Sequence, residues 1–219
     1  MNYLERNYKI LEQKMIEQMG ISLDYGKNLI DSELNVGVFN AVVKPIVKSF
    51  YKYWSDKDAR TGTLAQIKVT LDSAKEFIQN GNSTKVEFDK IINRYFPIYL
   101  ENDQTDRQCK KNHQNYPKLK EITKNCFIAQ VEESILFLNV KENVKDYNEL
   151  SQAAFKTKEN AYKALKRQLD FNDQGIQMVE KDDSILKVPM GKNIILTVLR
   201  KGFELTKKQL IDDLDSIFS

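Results

Sequence analysis

A chain of 219 residues is long enough to bury a hydrophobic core without a disulfide or a structural metal. Its 41% apolar and 30% charged residues exclude a disordered chain, and only 8 Gly and 4 Pro argue against an all-β sandwich or barrel, which needs frequent turns. The net charge of +3 is too small to indicate a dedicated DNA-binding domain.

The N-terminal segment and the cysteine content indicate a compartment. The first residues carry charges throughout and form no apolar h-region, and no apolar run approaches the roughly 18 residues of a membrane span. Two cysteines, Cys109 and Cys126, fit a reducing environment. We therefore expect a cytoplasmic protein with no membrane partner, in which Cys109 is accessible and Cys126 is buried on the apolar face of a helix.

The N-terminal quarter of the chain predicts three helices. Apolar residues recur at helical spacing over 3–19 and 22–33, which Gly20 separates, and over a longer stretch at 36–56. Pro45 lies inside the third stretch and predicts a kink or a break there, because proline removes a backbone donor and clashes with the preceding turn.

End signals mark the next two helices. A helix at 61–79 closes at Gly81, as a left-handed C-cap would. Thr84 and Glu87 are spaced as a capping box that opens a further helix. We expect that helix to end near Pro97.

The middle of the chain loses its helical periodicity. The polar stretch 99–116 is a candidate domain boundary or functional loop, because long irregular segments inside compact domains are usually one or the other. A helix is predicted at 117–139. Asp146 and Glu149 are spaced as a second capping box, and the helix that they open is expected to run through Leu169.

The C-terminal quarter predicts one long helix, preceded by a segment of weakly alternating polarity. Residues 174–189 alternate weakly and fit either a small β-hairpin or a loop, and a final helix is expected at about 190–218. The prediction is an all-α, up-and-down bundle of six to eight helices. We expect a single domain over 1–219, with 99–116 as the place for any subdivision.

Recognisable catalytic and metal signatures are absent from the sequence. With His113 as its one histidine, the chain cannot supply the paired Glu-x-x-His motifs of a di-metal bundle. Cys109, His113 and Cys126 offer at most three zinc ligands, and neither a Walker A loop nor a Gly-x-Gly-x-x-Gly fingerprint occurs. The sequence predicts no metal and no cofactor, and it argues against an enzyme.

One pair of residues nevertheless leaves catalysis open. Arg107 and His113 are separated by five residues, in the segment RQCKKNH. This spacing resembles the R-x4-6-H motif of the HEPN superfamily, small all-α bundles many of whose members cleave RNA as dimers. The resemblance covers seven residues and implies that Arg107 and His113 meet at a dimer cleft. There RNA cleavage needs a group that moves the 2′-hydroxyl proton and a cation that stabilises the phosphorane charge.

A basic segment at 107–124 extends this alternative to RNA binding. Its cationic side chains and one aromatic ring are Arg107, Lys110, Lys111, Tyr116, Lys118, Lys120 and Lys124. Basic groups beside an aromatic ring can hold a nucleic-acid backbone and stack a base, so nucleic acid is a candidate partner. Acidic residues lie immediately upstream and would neutralise part of this charge.

The leading expectation is a non-enzymatic protein that acts by protein–protein contact, as a homo-oligomer or as a subunit of a larger assembly. Amphipathic helices without catalytic chemistry favour it, and a terminal helix can be shared with another chain without disturbing the rest of a bundle. The candidate contact residues include two aromatic residues that we expect to be exposed, because such rings are enriched at interfaces. The candidate contact residues are Leu4, Tyr8, Leu11, Met15, Tyr51 and Tyr53.

Overall fold

The structure is a computed structural model that describes residues 2–33, 57–102, 116–181 and 192–219. Over these residues the chain forms seven α-helices and no strand, which confirms the all-α bundle. None of these helices has the length and apolarity of a membrane span. The helices are α1 (Tyr3–Glu33), α2 (Lys57–Gln79), α3 (Lys85–Glu101), α4 (Tyr116–Leu138), α5 (Tyr147–Phe155), α6 (Lys158–Lys181) and α7 (Lys192–Ile217).

Helix α4 occupies the centre of the bundle and contacts α1, α2, α3, α5 and α6. Two core clusters lie along it. The first surrounds Phe127 and joins the start of α1 to α2 and α3, and the second surrounds Phe137 and joins α1 and α2 to α5, α6 and α7. Both phenylalanines are fully buried. Because α4 contributes to both clusters, it sets the positions of the helices on either side.

The two end signals around residue 81 are confirmed. Gly81 has a φ of +66°, a left-handed conformation that glycine adopts without steric cost. Thr84 Oγ1 accepts from the Glu87 amide at 3.3 Å, and the Glu87 carboxylate accepts from the Thr84 amide at 2.9 Å. These reciprocal bonds satisfy two amides that the first turn of α3 leaves without helical partners.

Two predicted helix ends are wrong. Gly20 does not stop α1, which continues from Tyr3 to Glu33, because an isolated glycine lowers helix stability by only about 1 kcal/mol. Helix α3 likewise continues past Pro97 to Glu101. Pro97 and Asn93 are both exposed, so water can bond the carbonyl that the proline leaves without a helical donor.

The helix predicted from Asp146 through Leu169 is broken in the structure. Helix α5 ends at Phe155, and Lys156 follows with a φ of 64°. The next helix then begins, with Thr157 Oγ1 accepting from the Asn160 amide at 3.2 Å. A lysine gives no sequence signal for a turn of the kind that a glycine gives. The apolar periodicity continues across this point, so the sequence predicted one helix where the structure has two.

The first arm of the predicted hairpin is also wrong, because α6 continues through Lys181 and residues 174–181 are helical. The second arm lies outside the described residues. The predicted helix at 36–56, with Pro45, lies outside them as well, as does 103–115, so the subdivision at 99–116 stays a prediction.

Candidate functional site

Several predicted site residues fall outside the part of the chain that the structure describes. These are Tyr51, Tyr53, Arg107, Cys109, Lys110, Lys111 and His113. The proposed pairing of Arg107 with His113 therefore stays a prediction.

The described part of the basic segment forms the first turns of α4 and divides between two faces. At about 100° per residue, Tyr116, Lys120 and Lys124 follow one another along one face, whereas Lys118 projects from another. Lys124 Nζ donates to Asn93 Oδ1 on α3 at 3.1 Å. The structure thus brings together three of the four described residues of the predicted nucleic-acid surface.

The predicted contact stripe on α1 is packed within its own chain. Leu4 and Leu11 are 4% and 5% exposed, Tyr8 packs against both core clusters, and Met15 packs against the cluster around Phe137. Tyr8 Oη donates to Asp72 Oδ1 at 2.9 Å, and burial together with this bond raises the pKa of the phenol. Interaction through this stripe would require α1 to leave its own bundle and exchange with a second copy.

Cys126 is partly buried, whereas the sequence predicted a buried thiol on the apolar face of its helix. The buried face of α4 is centred on Phe127, Val131 and Leu138, and Cys126 lies about 100° away from Phe127 around the helix. Its Sγ accepts a 3.6 Å hydrogen bond from Gln130 Nε2.

An open groove lies between α6 and α7, which sequence reasoning did not anticipate. The two helices run antiparallel, with Arg200 paired to Glu180 at one end and Lys158 paired to Asp215 at 3.0 Å near the other. The groove encloses about 410 Å³. We call it the α6–α7 groove; its lining residues are Tyr162, Leu165, Lys166, Leu169, Asp170, Asp173, Phe203, Glu204, Lys207 and Ile211.

The α6–α7 groove has an apolar floor and separated charges. Its floor is formed by partly buried leucine, phenylalanine and isoleucine side chains. The exposed ring of Tyr162 and the ammonium of Lys166 lie toward the start of α6, whereas Asp170 and Asp173 lie further along it. On α7, Lys207 pairs weakly with Glu204 at 3.7 Å. The rim therefore changes from basic at Lys166 to acidic at Asp170 along α6, and the Asp173 carboxylate beyond it lies 3.8 Å from the Arg200 guanidinium.

A second, smaller cavity of about 150 Å³ lies among α1, α4, α5, α6 and α7, and we call it the Glu133 cavity. Glu133 Oε2 accepts a hydrogen bond from Gln168 Nε2 on α6. The other polar residues that line the cavity are Lys14, Gln18, Tyr147, Ser151 and Asp213. Its apolar lining includes Leu165, which also borders the α6–α7 groove.

Burial dominates the electrostatics of the Glu133 cavity. It raises the pKa of Glu133 to about 7, against the opposing effect of the bond from Gln168. Within the described ranges no lysine or arginine forms an ion pair with Glu133. Lys14 Nζ lies instead 5.3 Å from the centre of the Tyr147 ring, which stacks on Phe137. Burial, reinforced by the charge of Glu133, raises the pKa of the Tyr147 phenol.

No family model, curated protein or solved structure matches this chain.

Function must therefore be argued from the two sites themselves. Among the described residues no three His, Cys, Asp or Glu side chains are arranged to hold a metal ion. The α6–α7 groove offers a surface for a macromolecule, because it is open, elongated and rimmed by both signs of charge. The Glu133 cavity, at about 150 Å³, is too small for that, and the groups that could exchange a proton in it are the carboxyl groups of Glu133 and Asp213 and the phenol of Tyr147.

Proposed function

We propose that this protein acts by protein–protein contact in the cytoplasm, and that it associates with a second copy of itself through the α6–α7 groove. The observation that carries the proposal is the distribution of charge along the exposed face of α6. An apolar groove alone would fit many partners, whereas a rim that is basic at one end and acidic at the other is complementary to itself.

The complementarity follows from helical spacing and two-fold symmetry. Tyr162, Lys166, Asp170 and Asp173 recur at intervals of four, four and three residues, so they share one face of α6. A two-fold axis perpendicular to α6 near residue 168 sets Lys166 of each copy opposite Asp170 of the other. The same operation brings Tyr162 of each copy toward the acidic end of the other groove. Every contact then occurs twice, as an isologous interface requires.

The apolar groove and the charges have different roles in this interface. Exposed ion pairs contribute about 0.2–1 kcal/mol each, so the rim fixes orientation more than affinity. Affinity comes from burying Tyr162 and the groove floor, at about 25 cal/mol per Å² of apolar surface. An interface limited to one groove buries a small area compared with stable protein–protein interfaces. We therefore expect a reversible dimer rather than an obligate one.

Sedimentation velocity over a concentration series tests the proposal. Tyr162→Asp should shift the protein to monomer, because it places a charge where an aromatic ring is buried. Val86→Asp is the matched control, since Val86 is 64% exposed on α3 and lies away from the groove. A wild-type protein that stays monomeric at about 100 μM, well into the range of weak complexes, would contradict self-association.

A charge exchange tests the orientation. Lys166→Asp and Asp170→Lys should each weaken the dimer, because each creates like-charge pairs across the two-fold axis. The double variant restores opposite charges at both places and should recover the wild-type dissociation constant. Equal weakening in the double variant would show that the copies, if they associate, do not meet in this arrangement.

RNA binding is a second candidate function, favoured by the shared face of Tyr116, Lys120 and Lys124 on α4. Cations and a ring along one helical face can track a single strand. Under this alternative His113→Ala should abolish RNA cleavage while leaving binding nearly intact, because a general acid or base acts on a proton of the bound substrate. Filter binding and a cleavage assay on the same RNA separate the two effects.

A further inference from the structure

Helix α6 is fastened to α4 by two neighbouring carboxylates of different character. Glu132 is partly exposed and forms a 2.5 Å ion pair with Arg167. Glu133, the next residue, turns into the Glu133 cavity and accepts a hydrogen bond from Gln168. The first contact pairs two charges at the surface, whereas the second joins a carboxyl group to a neutral amide.

The groups that surround Glu133 do not compensate a negative charge on it. Asp213 of α7 faces the cavity with the same sign, and Tyr147 of α5 contributes a phenol. Gln168 of α6 is neutral, and Lys14 of α1, the one cation among the described residues of the lining, lies over the Tyr147 ring. The remaining polar lining, Gln18 and Ser151, is uncharged. An ionised Glu133 would thus have only part of its surface in contact with water, would have no ion pair with a described lysine or arginine, and would face a second acid.

We propose that Glu133 is a proton-operated latch on α6: with its carboxyl group protonated α6 stays packed on α4, and loss of that proton favours an opened state in which α6 separates from α4 and water surrounds the Glu133 carboxylate. The proton leaves to solvent, and no other bond is made or broken. The latch concerns the packing of one chain and does not depend on the proposed dimer.

The size and direction of the effect follow from linkage. The packed state holds the pKa of Glu133 at about 7, and exposure to water returns it to its ordinary value of 4.5. The packed state therefore binds more protons between these values, so opening becomes easier as pH rises through this window. Between pH 5 and pH 8 the opening equilibrium should increase by about 70-fold.

Hydrogen exchange of the full chain, followed by mass spectrometry from pH 5 to pH 8 and corrected for the intrinsic amide rate, measures this opening. Peptides from α6 should lose protection as pH rises, and peptides from α3 serve as the internal reference. In Glu133→Gln the α6 protection should be independent of pH. Glu132→Gln is the matched control and should retain the wild-type pH dependence, because it removes the surface ion pair and leaves the cavity intact.

Two results would overturn the latch: α6 protection that does not change with pH in the wild type, or the same change in Glu133→Gln. If Glu133→Gln does not fold, a carbon-13 titration of glutamate-labelled wild-type protein decides, since a carboxyl signal with a midpoint near 7 supports the latch and midpoints all near 4.5 contradict it. Repeating the exchange in Tyr162→Asp separates the latch from self-association.

Discussion

The side-chain amide of Asn7 donates a 2.7 Å hydrogen bond to the carbonyl of Val140, just beyond the C-terminal end of α4. The same amide donates to the Phe137 carbonyl at 3.2 Å, and Asn7 is completely buried. Its Oδ1 accepts from Arg6 at 3.1 Å. A single residue of α1 thus supplies donors to two carbonyls at the C-terminal end of the central helix, and the Phe137 carbonyl also accepts from the Val140 amide at 3.3 Å.

Replacing Asn7 by alanine should lower the free energy of unfolding by about 1–3 kcal/mol, because the Val140 carbonyl would lose its side-chain donor and the Phe137 carbonyl would keep only the Val140 amide. Urea denaturation followed by circular dichroism measures the change. Asn143→Ala is the control, since Asn143 is exposed and accepts from Arg6 at 2.9 Å at the surface. A loss of less than about 0.5 kcal/mol in Asn7→Ala, the size expected for ordinary surface substitutions, would contradict the role of Asn7.

Alanine substitutions at two glycines should have opposite effects. A Cβ at Gly62 would lie 2.8 Å from the backbone oxygen of Asn102, so Gly62→Ala should force α2 and α3 apart and destabilise the protein by at least about 1 kcal/mol. A Cβ at Gly202 in α7 would contact nothing within 4 Å. Gly202→Ala should stabilise the protein by about 0.5–1 kcal/mol through helix propensity. Thermal denaturation of both variants tests this contrast.

Glu133→Gln should change stability in a pH-dependent way. Because its folded-state pKa of about 7 lies above its ordinary 4.5, Glu133 costs nothing below pH 4.5 and destabilises the fold increasingly up to pH 7. The variant should therefore equal the wild type at pH 4 and exceed it by up to about 3 kcal/mol at pH 8. Denaturant titrations at the two pH values test this, and a variant that is less stable at pH 8 would refute it.

Lys156→Gly should raise the free energy of unfolding by about 1 kcal/mol. Lys156 is exposed and adopts a φ of 64°, which costs a residue with a Cβ about 1–3 kcal/mol. Its amide donates to the Gln152 carbonyl at 2.9 Å, and glycine keeps that bond. Lys163→Gly in the interior of α6 is the control and should be destabilising.

Because Lys120 and Lys124 share one face of α4 and Lys118 lies on another, substitutions of these lysines should affect RNA binding differently. If the second candidate function holds, Lys120→Ala should weaken the binding of single-stranded RNA and reduce the slope of log K against log salt by nearly one unit. Lys118→Ala, which removes the same charge from another face, should do less. Equal effects of the two variants would indicate nonspecific attraction to net charge.

The capping residues show what local sequence can predict. The sequence correctly predicted the capping box of Thr84 and Glu87 and the left-handed C-cap at Gly81. It could do so because the interactions that begin or end a helix involve residues three or four apart. Asp146 also caps α5 as expected, accepting from the Glu149 amide at 2.9 Å, although the Glu149 carboxylate accepts from Lys145 rather than from Asp146.

The positions missed from the sequence depend on contacts between distant residues. At Lys156 a segment with continuous helical periodicity is interrupted, although no residue there favours a left-handed turn. Helix α3 continues through Pro97 because Pro97 and Asn93 lie on its exposed side. Glu133 gives a fainter signal, since it lies between the buried positions Val131 and Ser134 of α4. Which of the two adjacent glutamates enters the bundle is decided by the placement of α6, which helical periodicity does not specify.

The packing of α1 against α7 has a consequence for biosynthesis. Leu11 and Leu214 share one core cluster although they lie near opposite ends of the chain. A ribosome completes α1 before α7, so the apolar side of α1 emerges before one of the helices that cover it. Until α7 is made, the nascent chain exposes the part of α1 that packs against it, and such transiently exposed apolar surface favours aggregation.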